Sequence, residues 1–209
     1  MPLQNRVTPQ GEIIADAALG SFMGNRGILH DDRKQLGNAR WKHANWIVCV
    51  LDFKDRHRVV MTPGCYTELF FLDEAVALAA GHRPCGECRR DAYRTFMEFW
   101  VEACADLSPP KAKDVDRVLH HARIDPATRR QRRYDRTLAD LPDGTFICME
   151  NDDAPHLVWN DRLLPYAPAG YGPAKARPSR LNVTVLTPEP LVRILHGGYR
   201  PTVHTSASN

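Results

Sequence analysis

Cys85 and Cys88 form a C-x-x-C pair, and these two thiols are the residues whose type and spacing most clearly predict chemistry. Two thiolates three positions apart can bind one tetrahedral Zn²⁺, while the backbone amides of the loop between them point at the sulfur atoms. A helix predicted to follow the pair adds the favourable field of its N-terminus to their negative charge. The pair therefore predicts a zinc site, and the zinc requires further ligands from elsewhere in the chain.

The remaining zinc ligands come from a small set of candidates. Cys65 lies at the start of a predicted strand that leads into the pair, and we predict it as the third ligand and as the candidate reactive thiolate. The fourth ligand is one of Cys49, His57 and His82. Each has another interpretation: Cys49 as a buried strand cysteine, His57 as a solvated hairpin residue, and His82 as a packing residue beside the loop. Four ligands would make the zinc structural, whereas three and an open position would let it activate water or a thiolate.

Two other chemistries also use a C-x-x-C pair. A thiol redox pair opens a helix directly after a strand, but here a predicted helix and the Arg83-Pro84 dipeptide precede the cysteines. A zinc deaminase combines P-C-x-x-C with an upstream H-x-E, and this sequence contains no H-x-E before Cys85. Both patterns are weaker matches than a zinc-thiolate site.

The wider segment 69–89, with the sequence LFFLDEAVALAAGHRPCGECR, covers about a tenth of the chain. It resembles the second half of the zinc-binding N-terminal domain of the Ada family of DNA-alkylation repair proteins. The resemblance implies zinc held by cysteines, with Cys85 and Cys88 as the second ligand pair, and DNA binding. In that family a zinc-bound thiolate accepts a methyl group from a DNA methylphosphotriester. The upstream C-x-x-x-C pair of the family is missing here, where only Cys49 and Cys65 precede the motif, so the resemblance does not extend to methyl transfer.

The composition is that of a globular protein that can bury a core. The 209 residues are 43% hydrophobic, and the sequence has neither a long apolar run nor a basic-then-apolar signal pattern at its N-terminus. We therefore expect no membrane association and a cytoplasmic location. Reduced thiols are expected in that compartment, so six cysteines at irregular spacing favour metal binding or simple burial over a disulfide framework.

Positive charge is concentrated in residues 111–136, which contain nine basic and four acidic side chains in a chain whose net charge is only +3. A helix predicted from Asp125 to about Leu138 would align Arg129, Arg133 and Arg136 in a row able to contact successive phosphates. The alternative is a solvated helix face. We predict nucleic acid as the partner, DNA rather than RNA, with the following contacts: Arg89, Arg90, Arg129, Arg130, Arg133 and Arg136.

The elements that must position these residues predict an α+β fold with an Ada-like zinc module embedded in one larger domain. Residues 1–45 are predicted as an irregular basic N-terminal arm, and residues 108–141 as a basic helical segment. Residues 46–107 form the module: a hairpin of runs 46–51 and 59–61, a strand at 66–71, a helix at 74–80, the C-x-x-C pair and a second helix. Residues 142–209 supply a β-hairpin, a Pro/Gly-rich loop at 165–180 and a terminal strand and helix.

These features predict a zinc-binding protein that binds nucleic acid, with a role in DNA repair or regulation. Two alternatives remain open on the sequence alone. One is a zinc-dependent enzyme that acts on nucleic acid or nucleotides through an open metal position. The other is a structural or interaction protein in which the zinc replaces missing core.

Overall fold

Two β-sheets and four helices make up the part of the chain that the computed structural model describes, which is residues 1–56, 58–104, 110–150 and 152–208. The predicted α+β class is confirmed, since helices and strands are both present and form separate segments of the chain. Buried apolar side chains from both sheets pack in one continuous cluster, and a second cluster lies among the helices.

The first sheet is built from strands in the N-terminal half of the chain. Its strands are β1 Gln4–Val7, β2 Ile13–Ala15, β3 Phe22–Asn25, β4 Ile47–Cys49, β5 Leu69–Phe71 and β6 Arg83–Pro84. They lie in the order β2-β1-β5-β3-β4-β6, with parallel pairing of β1 to β5 and of β4 to β6. The prediction of an irregular arm at residues 1–45 is therefore wrong, because buried residues such as Val7 and Ile13 place three short strands of that segment in the sheet.

The predicted hairpin of runs 46–51 and 59–61 is also corrected. Only the first run is a strand, and β4 lies between β3 and β6 inside the sheet. Among the described residues of the second run, the backbone turns at Val60 and Met61, and Met61 has a left-handed φ of 57°. The Met61 amide donates to the buried carboxylate of Glu68 instead of to a strand partner.

The second sheet contains the C-terminal strands. These are β7 Tyr134–Thr137, β8 Phe146–Met149, β9 Asp152–Trp159, β10 Arg162–Ala167, β11 Gly170–Tyr171, β12 Lys175–Ala176 and β13 Asn182–Val185. The order is β11-β10-β9-β8-β13-β7, and β12 pairs with β10. The predicted hairpin is confirmed as β8 and β9. The predicted loop at 165–180 is corrected, because it contains the end of β10 and also β11 and β12, which both pair with β10. Asn160 and Asp161 adopt positive φ angles and form the tight turn that joins β9 to β10.

The helices are α1 Glu74–Ala79, α2 Arg90–Ala103, α3 Ala112–Arg123 and α4 Glu189–Gly197. Every residue of α1 is buried, and the helix packs against both β5 and β8, so it lies between the two sheets. The helix predicted at 74–80 is confirmed as α1, and the Asp73 carboxylate caps its start by accepting the Val76 amide hydrogen at 2.9 Å. Apolar faces of α2, α3 and α4 meet in the second core cluster.

The basic helix predicted from Asp125 to about Leu138 does not form. The Asp125 carboxylate accepts hydrogen bonds from the amides of Ala127 and Thr128, which closes a turn in place of a helix cap. Arg129 adopts a left-handed φ of 57°, and the chain then turns back so that Gln131 pairs with Ile124 at the end of α3, after which it enters β7. The expected row of Arg129, Arg133 and Arg136 is therefore absent. Within the described part of segment 108–141, only Ala112–Arg123 is an α-helix.

Candidate metal centre

Cys49 and Cys85 are positioned by two short parallel strands. Strand β4 pairs with β6 so that Ile47 lies opposite Arg83 and Val48 lies opposite Pro84. The Cys85 amide donates to the Val48 carbonyl at 2.9 Å, which continues the ladder by one residue beyond Pro84. Since the residue after Val48 is Cys49, the pairing places the two thiols at the same end of the strands.

Cys88 joins them because the chain turns sharply after Cys85. The Arg89 amide donates to the Cys85 carbonyl at 3.2 Å, and α2 begins at the next residue. The result is a group of three cysteines, Cys49, Cys85 and Cys88, whose sulfur atoms all lie within 4.8 Å of one another. Three ligand atoms in one small volume, drawn from a strand and a helix-opening loop, form a candidate metal site.

The three thiols differ in pKa. Hydrogen bonding from Cys49 lowers the pKa of Cys85 to about 5, assisted by the amides of Cys88 and Glu87. The Glu87 amide lies 3.4 Å from the Cys85 sulfur. The same hydrogen bond raises the pKa of Cys49, and burial raises the pKa of Cys88. At neutral pH the metal-free cluster therefore holds one thiolate stabilised by two protonated neighbours.

The donor set suits a thiophilic metal ion. Tetrahedral zinc with Zn–S bonds of about 2.3 Å places its sulfur ligands about 3.8 Å apart, which is inside the limit of this group. Soft thiolate ligands select zinc, copper(I) or iron–sulfur centres over magnesium or calcium. Three thiolates also carry enough negative charge to neutralise a divalent cation. The residues present fit Zn²⁺, which would use Cys49, Cys85 and Cys88.

The other predicted zinc ligands have different surroundings. Cys65 is partly buried in the turn before β5 and lies outside the group of three, so its role as a ligand or as a reactive thiolate stays a prediction. His57 lies outside the described residues. His82 is fully buried, with its ring 4.7 Å from the ring of Phe71, and it too lies outside the group. Cys49, one of the candidates for the fourth position, is the residue brought to the C-x-x-C pair.

Arg89 was predicted to contact nucleic acid, but its guanidinium lies inside the fold. It donates two hydrogen bonds, of 2.9 and 2.8 Å, to the carboxylate of Glu74 at the start of α1. Tyr199 and the Thr202 amide complete the hydrogen bonds of that carboxylate. In the sequence Arg89 stands beside the cysteines. The buried carboxylate of Glu74 requires a cationic partner, and Arg89 supplies that partner inside the core.

The remaining predicted arginines are exposed and differ in their partners. Arg133 forms an ion pair with Asp153, and Arg136 forms one with Glu189. Within the part of the chain that the structure describes, Arg90, Arg129 and Arg130 have no carboxylate within ion-pair distance. These three side chains therefore keep positive charge available at the surface.

Sequence reasoning missed a cationic cavity at the other end of β4 and β6. Its floor contains Trp46, Arg26 and Arg123, and both arginines are only 1% exposed. One signal was present in α3: Arg123 follows Val115 and Leu119 at i+8 and i+4 on the buried face of the helix. A charged residue on an apolar helical stripe indicates either a buried partner or a binding site. Arg26, in contrast, could not be distinguished from its polar neighbours.

No helix within the described residues combines the length and the apolar character needed to cross a membrane. Comparisons with protein-family models, with curated proteins and with solved structures gave no match to this chain. Function is therefore argued from the arrangement of the residues.

Proposed function

We propose that this chain is a zinc-thiolate protein that binds nucleic acid, with Cys49, Cys85 and Cys88 as its zinc ligands. The observation that carries the proposal is the convergence of three thiols within 4.8 Å. Two of them form the sequence pair C-x-x-C, and the third comes from a strand far away in the chain. A cluster drawn from separate elements requires the fold to bring the sulfur atoms together, and bound metal would stabilise that arrangement in return.

The surroundings of the cluster support zinc. Helix α2 begins at Arg90, two residues after Cys88, so its N-terminus favours negative charge at the thiolates. The low pKa of Cys85 leaves one sulfur ready to bind at neutral pH. The zinc would hold β4, β6 and the start of α2 together, and it would supply Lewis acidity only if one of its positions stayed open.

Nucleic-acid binding is supported by the distribution of charge and by the resemblance of segment 69–89 to the Ada zinc domain. Arg90 is exposed two residues after Cys88, and Arg129 and Arg130 are exposed on the turn after α3. Arginine makes paired hydrogen bonds to phosphate, and exposed arginines without carboxylate partners keep their charge for an anion. The proposal includes DNA as the preferred nucleic acid and a role in repair or regulation.

The zinc proposal is tested by metal analysis of protein purified without added chelator. The wild-type chain is expected to carry about one zinc ion, and Cys49→Ser to lose most of it, because three thiolates and not two are needed for tight binding. Cys104→Ser, at the C-cap of α2, is the matched control, since Cys104 is a partly buried thiol outside the cluster. Equal zinc content in Cys49→Ser and the wild type would refute the site.

The nucleic-acid proposal is tested by titrating single- and double-stranded DNA and RNA at several salt concentrations. Phosphate contacts predict a steep loss of affinity with salt, and removing two contacts is expected to reduce the log–log slope by about 2. The test variant is Arg129→Ala with Arg130→Ala. The control is Arg94→Ala with Arg117→Ala, two exposed arginines whose nearest carboxylates are on their own helices. No binding of any nucleic acid at low salt would end this part of the proposal.

A second candidate function follows from the number of thiols. Three cysteines would fill three of the four positions that zinc prefers, and catalytic zinc sites have three protein ligands and a water. A zinc-dependent enzyme acting on nucleic acid or nucleotides would use the fourth position to activate that water. Substituting cobalt(II) distinguishes the two, because its visible spectrum reports the ligand set and changes with added anions only if a position is open.

A further inference from the structure

A cationic cavity of about 790 Å³ lies at the end of β4 and β6 opposite to the candidate metal centre, with Trp46 in its lining. The guanidinium carbons of Arg26 and Arg123 lie 4.0 and 3.7 Å from the centre of the Trp46 ring. The two cations therefore lie against one indole, which stabilises each of them but does not neutralise either. Both side chains are buried, so water screens their charges little.

The hydrogen bonds of these two arginines are incomplete. Arg26 donates to the Gly11 carbonyl at 2.9 Å and to the His82 ring at 3.4 Å. Arg123 donates to the carbonyls of Gly81 and Ala44 at 2.7 Å, and its Nη2 also lies 2.9 Å from Nδ1 of His120. Within the described residues, Nη2 of Arg26 and Nε of Arg123 have no hydrogen-bond acceptor. Neither arginine has a carboxylate within ion-pair distance in that part of the chain.

Two other buried arginines of this chain are paired with carboxylates. Arg83 donates two hydrogen bonds of 2.8 Å to Asp116, and Arg89 donates two to Glu74. The fold therefore pairs a buried guanidinium with a carboxylate at both of these places, each inside the core. At Trp46 it leaves two guanidinium groups without one, at the bottom of a cavity.

Leaving two positive charges unpaired in the interior is costly for the folded protein. Burial lowers the pKa of Arg26 to about 9 and that of Arg123 to about 8, with the mutual repulsion of the two adding to the effect on Arg123. Both side chains still remain mostly protonated at neutral pH. A ligand with several anionic oxygen atoms would satisfy the free donors and remove this cost.

The mouth of the cavity is positively charged, as its floor is. Arg129 and Arg130 are exposed in its wall, and the Arg129 guanidinium lies 5.1 Å from the centre of the Trp41 ring. Six arginines and two carboxylates line the cavity, and one of those carboxylates, Asp153, is already paired with Arg133. An anion would thus meet exposed cations first and buried ones at the end of its path.

We propose that this cavity is a binding site for a phosphate monoester, held by Arg26 and Arg123 against Trp46. A phosphate monoester carries nearly two negative charges and three acceptor oxygens, which matches two guanidinium groups better than the single charge of a carboxylate. The proposal goes beyond nucleic-acid binding by the exposed arginines and does not require zinc. A terminal phosphate of a nucleic-acid strand and the phosphate of a free nucleotide share this chemistry.

The test uses the purified full-length chain in low-salt buffer that contains no phosphate. Inorganic phosphate, a nucleoside monophosphate and an oligonucleotide with either a 5′-phosphate or a 5′-hydroxyl end are titrated by calorimetry. In parallel, the indole N–H of Trp46, which donates to the His43 carbonyl, is followed by NMR in the wild-type protein. The proposal predicts saturable phosphate binding and a shift of the Trp46 signal.

Arg26→Met and Arg123→Met are the test variants, and Arg94→Met is the control. Methionine keeps much of the side-chain length and removes an unpaired charge, so both test variants are expected to remain folded. Each is expected to bind phosphate roughly tenfold to a hundredfold more weakly, as lost hydrogen bonds to a charged group predict. The control is expected to bind as the wild type does, because Arg94 is exposed on α2 and outside the cavity lining.

The four probes also identify the source of the phosphate. A preference for the 5′-phosphate end over the 5′-hydroxyl end, with inorganic phosphate competing, supports the strand end. Binding of the nucleoside monophosphate without that preference supports a free nucleotide. Failure of all probes to shift the Trp46 signal, or unchanged affinity in both Arg26→Met and Arg123→Met, overturns the site. Loss of zinc in Cys49→Ser with phosphate binding retained would separate this site from the metal proposal.

Discussion

The carbonyl of Val48 accepts the amide hydrogen of Cys85 at 2.9 Å, and this bond is the last rung of the short parallel ladder between β4 and β6. The cysteines lie at this end of the ladder. At the other end the Arg83 amide donates to the carbonyl of Trp46, which lies on the floor of the cationic cavity. Three residues of strand span roughly 10 Å, so one rigid pair of strands positions both candidate sites.

Zinc binding is expected to release about two protons from the cluster at pH 7, because ligands must be thiolates and only one of the three is ionised beforehand. The pKa of Cys85 is about 5, whereas hydrogen bonding raises that of Cys49 and burial raises that of Cys88. Affinity should therefore rise with pH, by roughly a hundredfold per unit near neutrality. Calorimetry in buffers of different ionisation enthalpy counts the protons. Release of none or of more than three would contradict a three-thiol site, and release of three would show that Cys85 is also protonated before zinc binds.

The sequence predicts the parts of this centre that depend on local patterns. Asp73 caps the start of α1, Gly81 and Pro84 follow its end, and the helix predicted at 74–80 is found at Glu74–Ala79. Cys49 could only be offered as one of three candidates for the fourth position. Its place beside the pair depends on β4 pairing with β6, a contact between segments more than thirty residues apart that no local pattern encodes.

For the basic segment, residues 108–141, a local sequence pattern predicts the wrong secondary structure. The spacing of Arg129, Arg133 and Arg136 fits a helix, and Asp125-Pro126 fits a helix start. The same Asp125 side chain can instead close a turn on Ala127 and Thr128, and pairing of β7 with β13 then makes a strand of the following residues. Tertiary pairing decides between two local structures that the sequence supports about equally.

Arg89→Met is expected to destabilise the fold by about 3–5 kcal/mol, because it leaves the buried carboxylate of Glu74 without its cationic partner. The double variant Arg89→Met with Glu74→Gln should recover part of that loss, since the unpaired charge is gone. Chemical denaturation of the two variants and the wild type measures the difference. Equal stability of Arg89→Met and wild type would show that the ion pair contributes nothing.

The exposed pair of Arg94 and Asp91 is the control for that experiment. Its side chains are 70% and 91% exposed, so solvent screens the interaction. Arg94→Met should change the free energy of unfolding by less than about 0.5 kcal/mol. A similar loss of stability in both arginine variants would mean that the effect comes from removing a long side chain and not from the buried charge.

Gly81→Ala is expected to destabilise the protein and to displace Arg123. Gly81 has a φ of 84°, and a Cβ atom there would lie 2.3 Å from Cδ of Arg123. Gly64→Ala is the matched control, because Gly64 has a φ of 75° and no heavy atom within 4 Å of the added carbon. Gly64→Ala should cost about 1 kcal/mol from backbone strain alone, and Gly81→Ala clearly more.

The two glycine variants also test the cavity. If Arg123 binds phosphate, Gly81→Ala should weaken phosphate binding, whereas Gly64→Ala should leave it unchanged. Denaturation curves and phosphate titrations on the same samples give both quantities. Equal losses of stability in the two variants would mean that the contact with Arg123 is relieved without cost.

His82 is expected to make the protein less stable in acid. Burial holds the pKa of His82 well below its ordinary value, and the charges of Arg26 and Arg123 lower it further. Below about pH 6.5 the unfolded chain therefore takes up a proton at this residue that the folded chain does not. The free energy of unfolding then falls as the pH falls. The contribution of His82 is about 1 kcal/mol between pH 6.5 and 5.5.

His82→Gln removes this proton uptake and keeps a side-chain acceptor for Arg26. Urea denaturation at pH 7.5, 6.5 and 5.5 should show that the variant loses less stability on acidification than the wild type does. Burial also lowers the pKa values of His120 and His156, but both are present in the two proteins, so they cancel in the difference. His121→Gln, at an exposed position of α3, should retain the wild-type pH dependence. If wild type and His82→Gln lose stability in parallel, His82 is protonated in the folded state, and the two arginines beside it must then be neutralised by another group.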